Sequence, residues 1–144
     1  MKIIMSFIAL LFVATNVSAA TYECLVLKAQ RVIEPDADRN TTDCGTQILD
    51  TDDTRNMSAY FDTCGVSVDF FGFESMTGAK GNVKISLLEP GKAEDWERRK
   101  PIAYATYRSV DELPEKFAVT LGRDYDRFFK SSVHEDFSAA CEKR

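Results

Sequence analysis

Residues 57–73 read MSAYFDTCGVSVDFFGF and hold the densest aromatic and β-branched cluster of the chain. From Gly65 onward, residues of opposite character alternate, as they do along a half-buried strand. The segment Asp62–Gly65 carries residue types that favour turns, and it follows a second apolar pair, Tyr60–Phe61. The pattern predicts a β-hairpin with a four-residue loop. A single strand with a bulge at Gly65 is the alternative.

The pair Phe70–Phe71 places one large ring on each face of this strand. One ring is expected to meet the core, and the other must be covered as well or form an exposed patch. We expect both rings to be buried in a closed sheet structure. A ligand or partner site at the outward ring is the alternative.

The rest of the chain repeats this strand pattern in weaker form. A first strand is predicted at residues 21–33, and alternation predicts further strands at 83–88, 102–108, 117–121 and 125–133, with turns at 75–82 and 122–124. A short helix is predicted within 92–100 from two acid-to-base pairs spaced four residues apart. The segment 34–56 is rich in Asp, Thr and Asn and is interpreted as a long acidic loop, with at most a short strand at 46–49.

The tail, residues 132–144, carries two conflicting signals. Ser132 and Glu135 have the spacing of a helix capping box, whereas Phe137, Ala139 and Cys141 alternate as in a strand. We favour the strand because its neighbours are β. The whole pattern predicts an all-β, single-domain antiparallel sandwich or barrel of about seven or eight strands, with at most one short helix.

The N-terminus has the layout of a secretory signal peptide. A single Lys2 precedes a short apolar run, and small residues follow it up to Ala20. We expect residues 1–19 to be removed by cleavage after Ala19, with a cut after Ala20 as the alternative. The mature chain, 20–144, is then expected to be exported to the periplasm or the extracellular space, without membrane insertion.

The charge balance limits the classes of partner. The chain has a formal net charge of −5, and removing the signal segment with its one lysine brings this close to −6. An acidic protein repels phosphate backbones, so nucleic acid is not expected as a partner. No cofactor is predicted, because the chain has no phosphate-binding glycine loop and no cluster of His and Cys with metal-ligand spacing.

The chain has four cysteines, Cys24, Cys44, Cys64 and Cys141. In an exported chain an even number of cysteines predicts disulfides, and three pairings are possible. If the first and last strands pair, Cys24 meets Cys141, which leaves Cys44 to join Cys64 and tie the 34–56 segment to the central hairpin.

The candidates for chemistry are few. His134 is the only histidine and is flanked by Glu135 and Asp136, but the two carboxylates point to alternate faces of a strand. We therefore expect a solvated surface residue and assign no catalytic residue. Asp36, Asp38 and Asn40 begin like a calcium loop, but Thr41 and Gln47 occupy the positions of its glycine and its bidentate glutamate.

Trp96 is the only tryptophan and lies among charged residues. It is expected to fold back as a lid over one end of the core, with a partner-binding anchor as the alternative. Our main functional hypothesis is a non-enzymatic binding domain for a protein partner or small ligand. The alternatives are a hydrolase that uses acidic residues and a structural component of the cell envelope.

Overall fold

The structure is a computed structural model, and it describes residues 20–32, 39–51, 55–71, 81–109, 113–127 and 131–144. Within these ranges the chain forms eight strands and one short 3₁₀ helix, η1. Their bounds are β1 Thr21–Val32, β2 Arg39–Asp50, β3 Ser58–Phe61, β4 Val66–Phe71, β5 Asn82–Leu88, η1 Ala93–Arg98, β6 Pro101–Arg108, β7 Lys116–Arg127 and β8 Ser131–Lys143.

The strands form two four-stranded antiparallel sheets packed as a β-sandwich. Sheet I has the order β2-β1-β8-β7 and contains the long strands, whereas sheet II has the order β3-β4-β5-β6. The all-β prediction is confirmed in its sandwich form. The tail is a strand, and β8 pairs along its length with β1, as expected for the first and last strands.

The core follows from the alternation of side chains along each strand. Sheet II contributes Val66, Val68 and Phe70 from β4 and Val83 and Ile85 from β5, all buried. The facing residues of sheet I include Tyr22 on β1 and Phe117 on β7, whose rings lie 5.6 Å apart. Each fully buried side chain of this kind stabilises the fold by about 1.5–3 kcal/mol.

The predicted hairpin around Asp62–Gly65 is present. Strand β3 ends at Phe61, β4 begins at Val66, and the loop between them has the four residues Asp62–Gly65. Gly65 has φ +66°, a conformation that glycine adopts without the steric cost of a Cβ. Its N–H donates to the Phe61 carbonyl at 2.9 Å, which closes the turn.

Both disulfides join the cysteines predicted to pair. Cys24 and Cys141 are directly opposite each other on β1 and β8, so their bond lies within sheet I near both ends of the described chain. Cys44 on β2 is bonded to Cys64 in the β3–β4 loop, so this bond links sheet I to sheet II. Two disulfides are consistent with an oxidising, exported environment.

The prediction of a long loop over 34–56 is wrong for residues 39–50, which form β2 and pair with β1 from Thr21↔Asp50 to Arg31↔Arg39. Only Cys44 and Leu49 of this strand are buried in the described core. An edge strand needs few apolar residues, and its threonines suit a pleated backbone. Its polar composition therefore does not imply a loop.

The predicted turn at 122–124 and strand at 125–133 are also wrong, because β7 runs through Gly122 as far as Arg127 and β8 begins at Ser131. Gly122 is not a turn residue here. A Cβ at this position would lie 3.0 Å from Asp136 Oδ1 on β8, so glycine makes room for that carboxylate.

The two rings of the pair Phe70–Phe71 differ in environment. Phe70 is buried, but Phe71 is 42% exposed on the outer face of sheet II. The expectation that both rings are covered is therefore wrong for Phe71. Residues 1–19, which carry the predicted signal peptide, and Asp36 and Asp38 of the calcium candidate lie outside the described residues.

Candidate functional site

Trp96 lies on the outer face of sheet II and not over an end of the core. Helix η1 follows β5 and carries Trp96 back across the sheet. There the indole is half-buried and stacks on the ring of Tyr60 from β3, with centroids 5.8 Å apart and planes 6° from parallel. The expected lid over the core is thus incorrect, because Trp96 covers the outward side chain of an edge strand.

Arg99 also contacts the ring of Tyr60. Its guanidinium lies 4.9 Å from the centroid of the Tyr60 ring, and its Nη1 donates to the Tyr60 hydroxyl at 2.9 Å. The same side chain donates to the carbonyls of Glu89 and Lys92, at the start of the β5–β6 connection. Arg99 therefore ties the η1 connection to β3, and the three side chains form one ordered cluster.

A row of side chains crosses sheet II from this cluster to the opposite edge. Tyr60, Ser67, Ser86 and Tyr104 are register partners on successive strands and face outward together. The two serines are buried although they lie on the outer face, and Ser86 Oγ has no hydrogen-bond partner among the described residues. Both small side chains are thus closed off from solvent between the two tyrosines.

The far end of this row is open to solvent. Tyr104 is 65% exposed, and Ile102, at the register irregularity near the start of β6, is 53% exposed. We define the aromatic face by five residues: Tyr60, Trp96, Arg99, Ile102 and Tyr104. Trp, Tyr and Arg are the residue types most enriched at binding hot spots. The Tyr60–Trp96–Arg99 part of this surface is therefore ordered by internal contacts, and the Ile102–Tyr104 part is exposed to solvent.

Sequence reasoning singled out Trp96 but missed its partners. The alternation of Ile102 and Tyr104 with Ala103 and Ala105 was visible, with large residues on one side of β6 and small ones on the other. The usual expectation is that the larger residues face the core. Here Ala103 and Ala105 pack against the core, and the large residues face solvent. Large residues on the outward side of β6 and small residues on its inward side were the sequence signal for an exposed face.

His134 is held between two carboxylates on the outer face of sheet I. Its Nδ1 lies 2.6 Å from Asp124 Oδ1 on β7, and its Nε2 lies 3.0 Å from Asp136 Oδ1 on β8. Glu135 points to the opposite face, as expected for the next residue of a strand. Because both ring nitrogens face carboxylates, the arrangement favours an imidazolium cation and not a base aimed at a substrate.

These contacts set the titration of His134. Hydrogen bonds to Asp124 and Asp136, aided by their charges, outweigh partial desolvation and raise the pKa of His134 above 6.5. A raised pKa in the folded state means that protonation of His134 stabilises the fold. This contribution is complete below the unfolded-state pKa and is lost as the pH rises through the folded-state pKa.

We expect the single imidazole signal in an NMR titration to have a midpoint above pH 6.5. Asp124→Asn should lower that midpoint, because it replaces a carboxylate bonded to Nδ1 with a neutral amide. Glu142→Gln is the matched control, since Glu142 pairs with Lys116 and not with the histidine. A wild-type midpoint at or below 6.5 would contradict this reading.

A pair of glutamates lies across β1 and β8 on the outer face of sheet I. Glu23 and Glu142 are register partners and line a depression of about 520 Å³, together with Leu25, Thr46 and Lys116 among others. Glu23 is bonded to Arg144, and Glu142 to Lys116 at 2.9 Å. Each carboxylate is partly or largely solvated and is paired with a cation, so the geometry singles out neither as a general acid.

The calcium candidate is only partly within the described chain. Asn40 lies in β2 opposite Gln30, in a strand and not in a loop. In the ranges that the structure describes, no group of three or more His, Cys, Asp or Glu side chains has an arrangement suited to a metal ion.

Within the same ranges, no helix has the length and apolar character needed to cross a membrane. Comparison with known proteins gives no matching family model, no matching curated protein and no matching solved structure.

Proposed function

We propose that this chain is an exported, non-enzymatic binding domain that recognises a protein partner through the aromatic face of sheet II. One observation carries the proposal: Tyr104 and Ile102 are 65% and 53% exposed beside an ordered Tyr60–Trp96–Arg99 cluster. Large apolar residues exposed side by side lower the solubility of a monomer and are typical of interaction sites.

The composition of the surface favours a protein over a small molecule. Half of the aromatic face is ordered before any partner arrives, because Trp96 is stacked and Arg99 is hydrogen-bonded. Prior order lowers the entropy cost of association. Ser67 and Ser86, between the tyrosines, are closed off from solvent, so a partner would contact the larger side chains around them, and such a surface suits a broad protein contact.

Export is the second part of the proposal. It is supported by the secretory pattern of the N-terminal sequence and by the two disulfides, which are rare in proteins of reducing compartments. We place the mature domain in the periplasm or the extracellular space. The ion-paired state of Glu23 and Glu142 gives the hydrolase alternative no comparable support.

Site-specific photocrosslinking tests the proposal. The protein is produced with p-benzoylphenylalanine at position 102 and irradiated in the exported fraction of its native host. We expect one discrete protein adduct. The matched control carries the same residue at position 118, where Ala118 is exposed on β7 in sheet I, and should give no such adduct.

A second variant shows whether the face itself binds. Tyr104→Lys should reduce the adduct at position 102 by about tenfold or more, because it removes an aromatic contact of the hot-spot type. Equal adducts at positions 102 and 118, or no adduct at either, would overturn the proposed function.

A further inference from the structure

Strand β6 is an open edge of sheet II. In the described strands it pairs with β5 alone, from Asn82↔Arg108 to Leu88↔Pro101. Beyond the last pair, the Ser109 N–H donates to the Gly81 carbonyl at 3.1 Å. This bond fixes the phase of the ladder, because hydrogen-bonded and non-bonded pairs alternate along antiparallel strands.

The phase decides which main-chain groups of β6 are unused. Since Ser109 is in a hydrogen-bonded pair, Tyr107, Ala105 and Ala103 are as well, and they point their N–H and C=O groups at β5. The alternate residues Tyr104, Thr106 and Arg108 therefore direct theirs away from β5. Their side chains lie on the outer face of sheet II, and Tyr104 belongs to the aromatic face.

The other edges of the sandwich are better protected against an added strand. Strand β3 has four residues, and β2 is interrupted by an irregularity at Gly45, with φ +107°. Strand β7 carries Lys116, Arg123 and Asp124 along its length. Charges, bulges and short length are the usual defences of an edge. Strand β6 has a register irregularity only at its start, at Ile102, and none of these defences from Ala103 to Tyr107.

We infer that β6 binds an extended segment of the partner protein as a fifth strand of sheet II. The inference rests on the proposed function, since it states how the partner is held. Main-chain bonds from Tyr104, Thr106 and Arg108 would give affinity, and contacts with Ile102 and Tyr104 would give specificity, as in other cases of strand addition.

Charge defines the occupant. Exposed cations lie at both ends of β6, Lys100 before it and Arg108 at its end. Among the described residues, Glu89 is paired with Lys100 through the main chain, and Arg108 is paired with the neutral Asn82. Antiparallel pairing of two copies centred on Tyr104 would bring Lys100 of each near Arg108 of the other, a like-charge contact that costs stability. A segment with apolar residues at alternate positions and acidic residues at its ends has the complementary charge.

A proline substitution can remove a hydrogen-bond donor from the open edge of β6 without disturbing the fold. Thr106→Pro removes an N–H that points away from β5, so no ladder bond is lost, and edge strands accept proline at such positions. Thr106→Val keeps the N–H and is the matched control. Both variants should retain the near-ultraviolet circular dichroism of the wild type.

The probe is an eight-residue synthetic peptide with aspartate at both ends and alternating valine and threonine between them. On titration we expect NMR shifts and slowed amide exchange at Tyr104, Thr106 and Arg108. Thr106→Pro should weaken this binding by about tenfold or more, and Thr106→Val should not. Shifts confined to β2 or β7, equal binding by both variants, or no shift at all would overturn the inference.

Two further outcomes are informative. If the adduct at position 102 is unchanged in Thr106→Pro, the partner uses the aromatic face without strand addition, so the inference fails and the proposed function stands. If light scattering shows a wild-type dimer that Thr106→Pro dissociates, the occupant is a second copy, which also overturns the inference.

Discussion

Replacing Cys24 and Cys141 together by alanine lowers the free energy of unfolding by about 5 kcal/mol, the largest effect that we expect from any single bond in this domain. The bond spans a sequence separation of 117 residues, so without it the unfolded chain gains almost the full entropy of an open loop. Alanine is preferred to serine because both positions are buried and a serine hydroxyl would need a partner there.

The second disulfide supplies the control. Cys44 and Cys64 are separated by only 20 residues, so the same chain-entropy account gives about 3 kcal/mol for Cys44→Ala with Cys64→Ala. The two costs are measured by urea unfolding monitored by Trp96 fluorescence. Domains of this size are stable by about 5–15 kcal/mol, so the first variant is expected to be close to unfolded without a stabilising osmolyte.

The critical result is which of the two double variants loses more free energy of unfolding. If loop entropy dominates, the long-loop variant is the less stable, although β1 and β8 pair along their whole length and would hold Cys24 near Cys141 without sulfur. Equal losses, or a larger loss for Cys44 and Cys64, would show that the link between the two sheets matters more than loop length.

Local chemistry explains what could be predicted from the sequence. The hairpin at Asp62–Gly65 is specified by turn residues and by a glycine that must adopt positive φ, so it needs no tertiary information. The alternation of the tail specified β8, and the pairing of the first and last strands then made Cys24–Cys141 the natural bond. Each of these inferences used residues close in sequence or one long-range assumption.

The errors arose where a neighbouring strand decides the outcome. Strand β2 is polar because it lies at an edge and buries little, and no local signal separates such a strand from a loop. Gly122 suggested a turn, but its small size serves Asp136 across the ladder. The stack of Trp96 on Tyr60 joins residues 36 positions apart, so only the folded chain reveals it.

The sequence also gives no sign that the carboxylate of Glu135 is buried, because Glu135 stands out there only as a neighbour of His134. The side chain faces inward and is 2% exposed, with Lys28 Nζ at 2.9 Å and Arg123 Nε at 2.9 Å. The ammonium of Lys28 also lies 5.6 Å from the centroid of the Phe137 ring. Two cations from β1 and β7 thus meet one anion from β8 at the polar end of the core.

Glu135→Gln is expected to lower the free energy of unfolding by about 3 kcal/mol, because it leaves Lys28 and Arg123 facing a neutral amide in a largely buried site. The value lies at the lower end for buried pairs, since both cations retain partial access to water. Thermal unfolding at pH 7 gives the measurement, and Glu142→Gln in the exposed pair with Lys116 is the matched control, with an expected loss below about 1 kcal/mol.

The pH dependence gives an independent check. Burial alone raises the pKa of Glu135, but hydrogen bonds from Lys28 and Arg123, with their charges, outweigh it and lower the pKa below its usual value. Stability from this carboxylate is therefore complete above the unfolded-state pKa, near 4.5, and is lost as the pH falls through the folded-state pKa. Glu135→Gln should flatten that part of the acid unfolding curve.

Replacing all three members tests whether the charge cluster stabilises the fold or only penalises its own disruption. In Lys28→Met with Glu135→Leu and Arg123→Met no buried charge is left without a partner, and apolar packing replaces the ion pairs. We expect this triple variant to recover most of the stability that Glu135→Gln loses. A triple variant as unstable as the single one would show that the ion pairs themselves hold β1, β8 and β7 together at this end of sheet I.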